Sequence, residues 1–356
     1  MSDHQTMRIS ADDLFDPKVE GFLEEQAMLN RAAPDIPEQT LFARIFYSSY
    51  FYLGVSGIIG ALAAWACIEP FIHEELGPES ENHVALLLLF PTVAAMIGLF
   101  IGAAEGIITR NPLRALISGA VGLGVGFVGS LIMLIPAGIL FSLMSGLAVS
   151  YNKLKEGEIP HGFGLFLFMT GRSLAWGVIA IPSGLGQGIA LREKKVVWNG
   201  ILGAVLGGLL GGLIFDPIDF ALSKQNDAGL SRAVGVAVIG AMVGVFIGLV
   251  EQWTKTAWLL MKAGPLAGKQ FVMYRQTTVI GSSPKADIYL FKDEAIEPRH
   301  ALIHNRGGRF EIEDCGSEDG TYINGIPVKK QMLKAGDQIV MGKTVLEFAL
   351  REAQGA

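Results

Sequence analysis

The stretch EDCGSEDGTYING, Glu313–Gly325, mixes turn-forming residues with hydroxyls and carboxylates. Gly316, Gly320 and Gly325 allow tight turns, and Ser317, Thr321 and Asn324 carry short side chains that can donate or accept hydrogen bonds. Such a loop is built to hold a ligand, yet Glu318 and Asp319 at its centre would repel an anion. A second group of polar side chains interrupts apolar sequence: Glu105, Arg172, Gln187 and Glu251. An ionisable group in such a setting is costly and needs a partner. No nucleophile with its base, HExxH, CxxC or phosphate-binding GxxxxGK[ST] pattern occurs. The expected chemistry is therefore recognition rather than catalysis, with no cofactor and no metal.

The elements that position these groups follow from composition. The 356 residues are 51% hydrophobic and 17% charged, with 45 glycines and a net charge of -6. That balance describes a membrane protein with soluble appendages. The net charge and the absence of a basic stripe with interleaved aromatics argue against a nucleic-acid partner. Cys67 and Cys315 sit in unlike settings and are expected to be free thiols. Six apolar stretches are long enough to cross a bilayer, near 45–68, 84–105, 115–148, 164–190, 196–215 and 230–252. The third is over-long and is expected to bend or leave the membrane near Pro136, with a re-entrant piece as the alternative.

Basic residues set the expected orientation. Arg110 and Arg114 follow the second span, Arg192, Lys194 and Lys195 follow the fourth, and the 69–83 loop has no Lys or Arg. Both termini are then cytoplasmic and 69–83 is outside. Lys153 and Lys155, diluted by Glu156 and Glu158, stand against that assignment. The acidic N-terminus lacks a secretory signal, so the first span is expected to direct insertion. Within the cytoplasmic tail, 1–44, Ser10 opens an expected amphipathic helix with Phe15, Val19, Phe22 and Leu23 on one face.

The transmembrane region, 45–252, is rich in closely spaced glycines, as in SGAVGLGVGFVG and GAVLGGLLGG, which let helix backbones approach inside lipid. Its GVGFVG, Gly124–Gly129, matches a dinucleotide fingerprint but lies mid-span without the required βαβ unit. The endings IGAAEG, SGLGQG and IGLVEQ superimpose Glu105, Gln187 and Glu251 and suggest a tripled helical hairpin. At the cytoplasmic ends of their spans these side chains can reach the interface; a transport site at a repeat interface is the alternative. Arg172 is expected to be central in its span, with Asp216 or Asp219 as its partner.

From 257 to 351 the pattern changes to short alternating segments punctuated by Gly, Asp and Asn: WLLMK, QFVMY, TTVIG, ADIYL, ALIHN, RFEIED, TYING, DQIVMG and TVLEFAL. Nine such runs read as an all-β sandwich. Their order, with Ile280-Gly281, His300-Ala301, Asp314, Gly316, Ser317, Gly320-Thr321, Asn324-Gly325, Gly336-Asp337 and Gly342, resembles the forkhead-associated (FHA) domain. That resemblance implies recognition of phosphothreonine peptides by loops at one end of the sandwich. It also implies an Arg after Gly281, where this chain has Ser282, and a Ser three residues before His300, where it has Glu297. A neutral pair before Gly320-Thr321 is replaced by Glu318-Asp319.

The peptide-binding candidates are thus Ser282, Lys285, Glu297, Arg299, His300, Ser317, Glu318, Asp319, Thr321 and Asn324. His300 and Asn324 are expected to brace loops, and Lys285 to be the cation nearest the missing Arg. Together the two regions point to a membrane scaffold or receptor with a cytoplasmic FHA-like domain and disfavoured phosphothreonine binding; a transporter or channel with an FHA regulatory domain is the alternative. A protein partner and membrane lipid are expected, and a homo-oligomer is left open.

Overall fold

The computed structural model describes residues 40–72, 82–153, 155, 160–222 and 228–351. The expected N-terminal amphipathic helix lies outside these residues. The chain divides into two compact units, one of them Leu41–Thr256 and the other containing everything from Ala257 onward.

The first unit is helical: α1 (Leu41–Phe46), α2 (Ser49–Ile68), α3 (Asn82–Ile108), α4 (Pro112–Asn152), α5 (Gly162–Leu191), α6 (Lys194–Leu222) and α7 (Ala228–Thr254). The six from α2 to α7 are long and apolar enough to cross a membrane. Apolar surroundings offer the backbone no solvent partner, so helix is the conformation that satisfies it internally. Polar caps mark the turns between helices. Asn111 accepts the Arg114 N–H at 3.0 Å ahead of Pro112, and Arg192 closes α5 in the left-handed region at φ 58°.

α4 runs 41 residues through Pro136 as one continuous helix, about 60 Å at ~1.5 Å per residue. Proline removes one backbone hydrogen bond, but α5 supports α4 on both sides of it: Gly186 lies against Gly122, Gly171 against Met144 and Gly164 against Asn152.

The helices close into a ring. α2 packs on α3, α3 on α4, α4 on α5, α5 on α6, α6 on α7, and α7 returns to α2; α3 and α5 also meet across the inside. The tripled hairpin is completed by the first span rather than by a further one. Gly102 abuts Ser118, Gly184 abuts Gly200, and Gly248 abuts the backbone of Tyr50. These three glycines stand at equivalent places, three residues before Glu105, Gln187 and Glu251. At each, a Cβ would overlap the partner backbone.

The ring-closing contact can be tested at Gly240, where a Cβ would overlap the Gly57 carbonyl, against Gly124, where it would meet nothing within 4 Å. Gly240→Leu is expected to lower the stability of the detergent-solubilised chain by about 1–3 kcal/mol or more, and Gly124→Leu to leave its thermal melt unchanged. Equal melts for the two variants would refute the ring closure.

The second unit is a β-sandwich of eleven strands. One sheet has the order β2-β1-β11-β10-β7-β8 and the other β4-β3-β5-β6-β9. Their ranges are β1 (Ala257–Ala263), β2 (Gln270–Val272), β3 (Thr277–Gly281), β4 (Ile288–Tyr289), β5 (Ala301–Arg306), β6 (Arg309–Asp314), β7 (Thr321–Ile323), β8 (Ile326–Val328), β9 (Lys330–Met332), β10 (Gln338–Met341) and β11 (Thr344–Leu350). Alternation drives the packing: Leu259 and Met261 of β1, Phe310 and Ile312 of β6, and Leu346 and Phe348 of β11 turn inward. The rings of Phe310 and Phe348 meet across the core at 5.3 Å. β8 and β9 are additions to the nine runs legible in the sequence. They are only three residues long and mostly exposed, so neither shows an alternation of buried and exposed positions.

Candidate functional site

In the β-sandwich, three loops converge on Glu297. β3 ends at Gly281, and the next N–H, of Ser282, donates to the Glu297 carbonyl at 2.8 Å. From the loop after β6, the Glu318 N–H donates to Glu297 Oε1 at 3.0 Å. A carboxylate thus occupies a backbone donor at the position where the FHA resemblance implies a serine.

His300, fully buried, fastens the same loops from beneath. It receives the Glu297 N–H on Nδ1 at 3.3 Å. The neutral ring therefore carries its proton on Nε2, which donates to the Gly320 carbonyl at 3.3 Å. The His300 backbone joins in as well, donating to Ile280 O and accepting from the Cys315 N–H, both at 2.9 Å.

Asp314 organises the loop from Cys315 to Gly320. Its carboxylate accepts from Ser317 Oγ (2.6 Å), Thr321 Oγ1 (2.7 Å), the Gly316 N–H (2.8 Å) and the Ser317 N–H (3.0 Å). Burial by itself would raise this carboxyl, but the four hydrogen bonds outweigh it and hold the group below the ordinary carboxylate range. Its contribution to stability is therefore complete above the unfolded value of about 3.9 and is lost as pH falls through the lower folded value. Denaturant titrations of the domain from pH 7 to 3 should show stability falling on acidification, and Asp314→Asn should flatten that fall. The variant should also cost about 2–3 kcal/mol at pH 7, because the buried Thr321 hydroxyl loses a charged acceptor.

The remaining predicted residues divide. Thr321 and Ser317 are bound to Asp314 and act as braces. Asn324 lies elsewhere, in the two-residue turn between β7 and β8, with φ 50° followed by Gly325 at 82°. Its side chain donates to Asp337 Oδ1 and accepts the Gln338 N–H, each at 2.9 Å. Lys285 is exposed, and its own N–H turns back to Ser283 Oγ. Arg299, also exposed, interacts through its guanidinium with the Cys315 thiol; burial still leaves that thiol above its ordinary range. Glu318 and Asp319 are exposed. Both cysteines are free.

The polar residues of the helical unit form two layers. Tyr52 on α2 donates to Glu105 Oε2 at 2.8 Å, and Ser49 donates to Glu251 Oε1 at 3.2 Å. Glu105 and Glu251 are thus both bound to the first span. Gln187 is half-buried on α5. The other layer pairs Arg172 with Asp216 at 2.6 Å and Arg232 with Glu69 through two hydrogen bonds of 2.6 and 3.1 Å. From Arg232 to Glu251, α7 rises about 28 Å at ~1.5 Å per residue, close to the ~30 Å hydrocarbon thickness.

Asp216 is thus the partner of Arg172, as expected, and Arg172 lines a cavity together with Arg232 of α7. The guanidinium lies over Phe168 and Phe215, 5.1 and 5.4 Å from the ring centres. Sequence reasoning missed Glu69 and Arg232. The available signal was their opposite charge at matching ends of the first and last spans.

A family model described as the FHA domain matches residues 278–342. The oxoglutarate dehydrogenase inhibitor of Corynebacterium diphtheriae is 41% identical over 90 residues, which are 25% of this chain and 62% of the relative. That of Corynebacterium glutamicum is 39% identical over 99 residues, 28% of this chain and 68% of the relative. The chain thus spans under two thirds of the first relative's length. Among solved structures, the FHA domain of CT664 from Chlamydia trachomatis is 28% identical with a TM-score of 0.26, covering 27% of this chain and 99% of that one. FHA domains are protein-interaction modules, and these two curated relatives carry the name of an inhibitor. Through the β-sandwich at its C-terminal end, the chain belongs to the FHA-domain family.

Proposed function

We propose that the chain is a membrane-anchored scaffold or signalling receptor, with a cytoplasmic tail (1–44), a transmembrane region (45–252) and a cytoplasmic FHA domain (257–351). This domain binds a protein partner through loops whose phosphate-recognition centre is filled from within. The observation that carries the reading is the 3.0 Å hydrogen bond from the Glu318 N–H to Glu297 Oε1. It places a fixed carboxylate on a donor that a phosphate would need, between Ser282 and an exposed acidic pair. The surface so formed favours neutral or Lys/Arg-bearing partners over phosphothreonine.

The orientation rests on Arg110, Arg114, Arg192, Lys194 and Lys195 in two short loops and on the absence of Lys and Arg from 69–83. A reporter active only outside the cytoplasm should give signal when fused after Gly77 and none after Ala356; signal from the second fusion would reverse the assignment. For function, the intact chain should be purified from membranes beside a chain lacking 257–351. Partners retained by the first and lost by the second support the scaffold. Solute-dependent flux in vesicles without such partners would replace it with a transporter carrying a regulatory FHA domain.

A further inference from the structure

The helical unit holds a cavity of about 470 Å³ among α3, α4, α5, α6 and α7, within the ~300–1,000 Å³ range of ligand sites. Its wall is aromatic and aliphatic. The rings of Phe90 and Trp176 lie 5.1 Å apart, those of Trp176 and Phe215 lie 6.5 Å apart, and Leu134 and Ile179 add branched surface. The two cations in the lining, Arg172 and Arg232, are answered by this chain's own Asp216 and Glu69, the second through two hydrogen bonds. Among the described residues the lining therefore asks no counter-charge of an occupant.

Such a wall selects by polarity and by shape. A buried water needs about 2–4 polar partners, and ring faces and alkyl groups supply none. A polar or ionic solute would lose its hydration without compensation. Hydrocarbon instead gains a dispersion contact with every wall atom it reaches. The lining runs from Leu134 to Phe141 on α4 and from Arg172 to Ile179 on α5, in each case about 10 Å at ~1.5 Å per residue along the helix. Hydrocarbon chains in a bilayer crossed by these helices run in the same direction. Leu87 on α3 and Gly138 on α4 belong to the lining and are also exposed on the flank of the bundle, so the cavity opens sideways between these two helices.

We propose that this cavity takes up one hydrocarbon chain of a bilayer lipid, threaded between α3 and α4 and laid along Phe90, Leu134, Trp176 and Ile179, with the head group left outside and its charge without influence. The proposal rests on the reading that α2 to α7 lie in a bilayer and is separate from the reading of the FHA loops.

For the test, the full chain is reconstituted in vesicles of phosphatidylcholine carrying a diazirine on one acyl chain, illuminated, and the adducts are mapped by peptide mass spectrometry. Trp176 and Ile179 are only 5% and 4% exposed, so adducts there require a chain inside the cavity. Ile132 and Ile135, exposed on α4, report the lipid that surrounds the bundle. Adducts are expected at both sets. The same chain on phosphatidylglycerol should label Trp176 and Ile179 to within about twofold of phosphatidylcholine.

Two substitutions on α4 separate entry from other effects. A Cβ at Gly138 or at Gly146 would meet nothing within 4 Å, so both positions accept a side chain without disturbing helix packing, yet only Gly138 lines the cavity. Gly138→Phe should lower the adducts at Trp176 and Ile179 by about tenfold or more and leave those at Ile132 and Ile135. Gly146→Phe should change neither set. Labelling confined to Ile132 and Ile135, undiminished labelling of Trp176 and Ile179 in Gly138→Phe, or a preference of about tenfold for phosphatidylglycerol overturns the proposal. Membrane fractionation of the expressing cells separates the two premises: a chain absent from membranes refutes the bilayer reading, whereas a membrane-borne chain labelled only on its outer face refutes the cavity assignment alone.

Discussion

Titrated with a phosphothreonine peptide library, the isolated domain (254–356) is expected to show no phosphate-selective binding in the micromolar range, whereas Ser282→Arg combined with Glu297→Ser should acquire it. A phosphothreonine brings a charge of about -1.5 to -2 and seeks Arg and N–H donors. Here the half-buried Glu297 already holds the Glu318 N–H. A unit charge about 5 Å from that carboxylate is repelled by roughly 3 kcal/mol at an effective dielectric near 20, before solvent screening. A micromolar complex has only about 8 kcal/mol in total. The double substitution removes the repelling group, frees the donor and supplies a guanidinium. Selective micromolar binding by the unmodified domain would sink this account. So would a double variant that stays folded and still ignores phosphate.

The second large effect is expected at the ion pair of α5 and α6. Asp216 is only 3% exposed and contacts Arg172 at 2.6 Å. Removing one member of a buried pair leaves the other charge uncompensated, at a cost of about 3–5 kcal/mol. Arg172→Met should therefore sharply lower the thermal stability of the detergent-solubilised chain. Arg172→Met with Asp216→Leu should recover most of the loss, since both charges go together and apolar volume replaces them. If the single variant melts with the double, the pair contributes no coupling and Arg172 acts through its contacts with Phe168 and Phe215 instead. A double-mutant cycle separates the two cases.

Much of the architecture was legible because its signals are local. Apolar length marks spans, and alternation marks strands, so six spans and nine of eleven strands could be read directly. β8 and β9 escaped because exposed strands of three residues have no buried face to reveal them. The order of FHA motifs was equally visible, since each falls at a turn or strand end whose residue type is demanded locally. Arg172 was legible as an oddity among apolar neighbours. Asp216 was legible as a candidate partner, while the cavity that Arg172 shares with Arg232 joins segments that no single sequence window holds together.

What the sequence determined by itself is the set of elements and their chemistry: glycine-lined helices, a strand-rich unit, and an acidic substitution at Glu297. Only the tertiary structure decided which surfaces meet. Arg232 finds Glu69 across 163 positions, α7 returns to α2 to close the third hairpin, and Glu297 turns its side chain onto the backbone of a loop 21 residues away. Periodicity records which face of an element avoids water, not which neighbour covers it. Those pairings are set by close backbone approach at glycines and by the need of each buried charge for a partner, and both act between segments far apart in the chain.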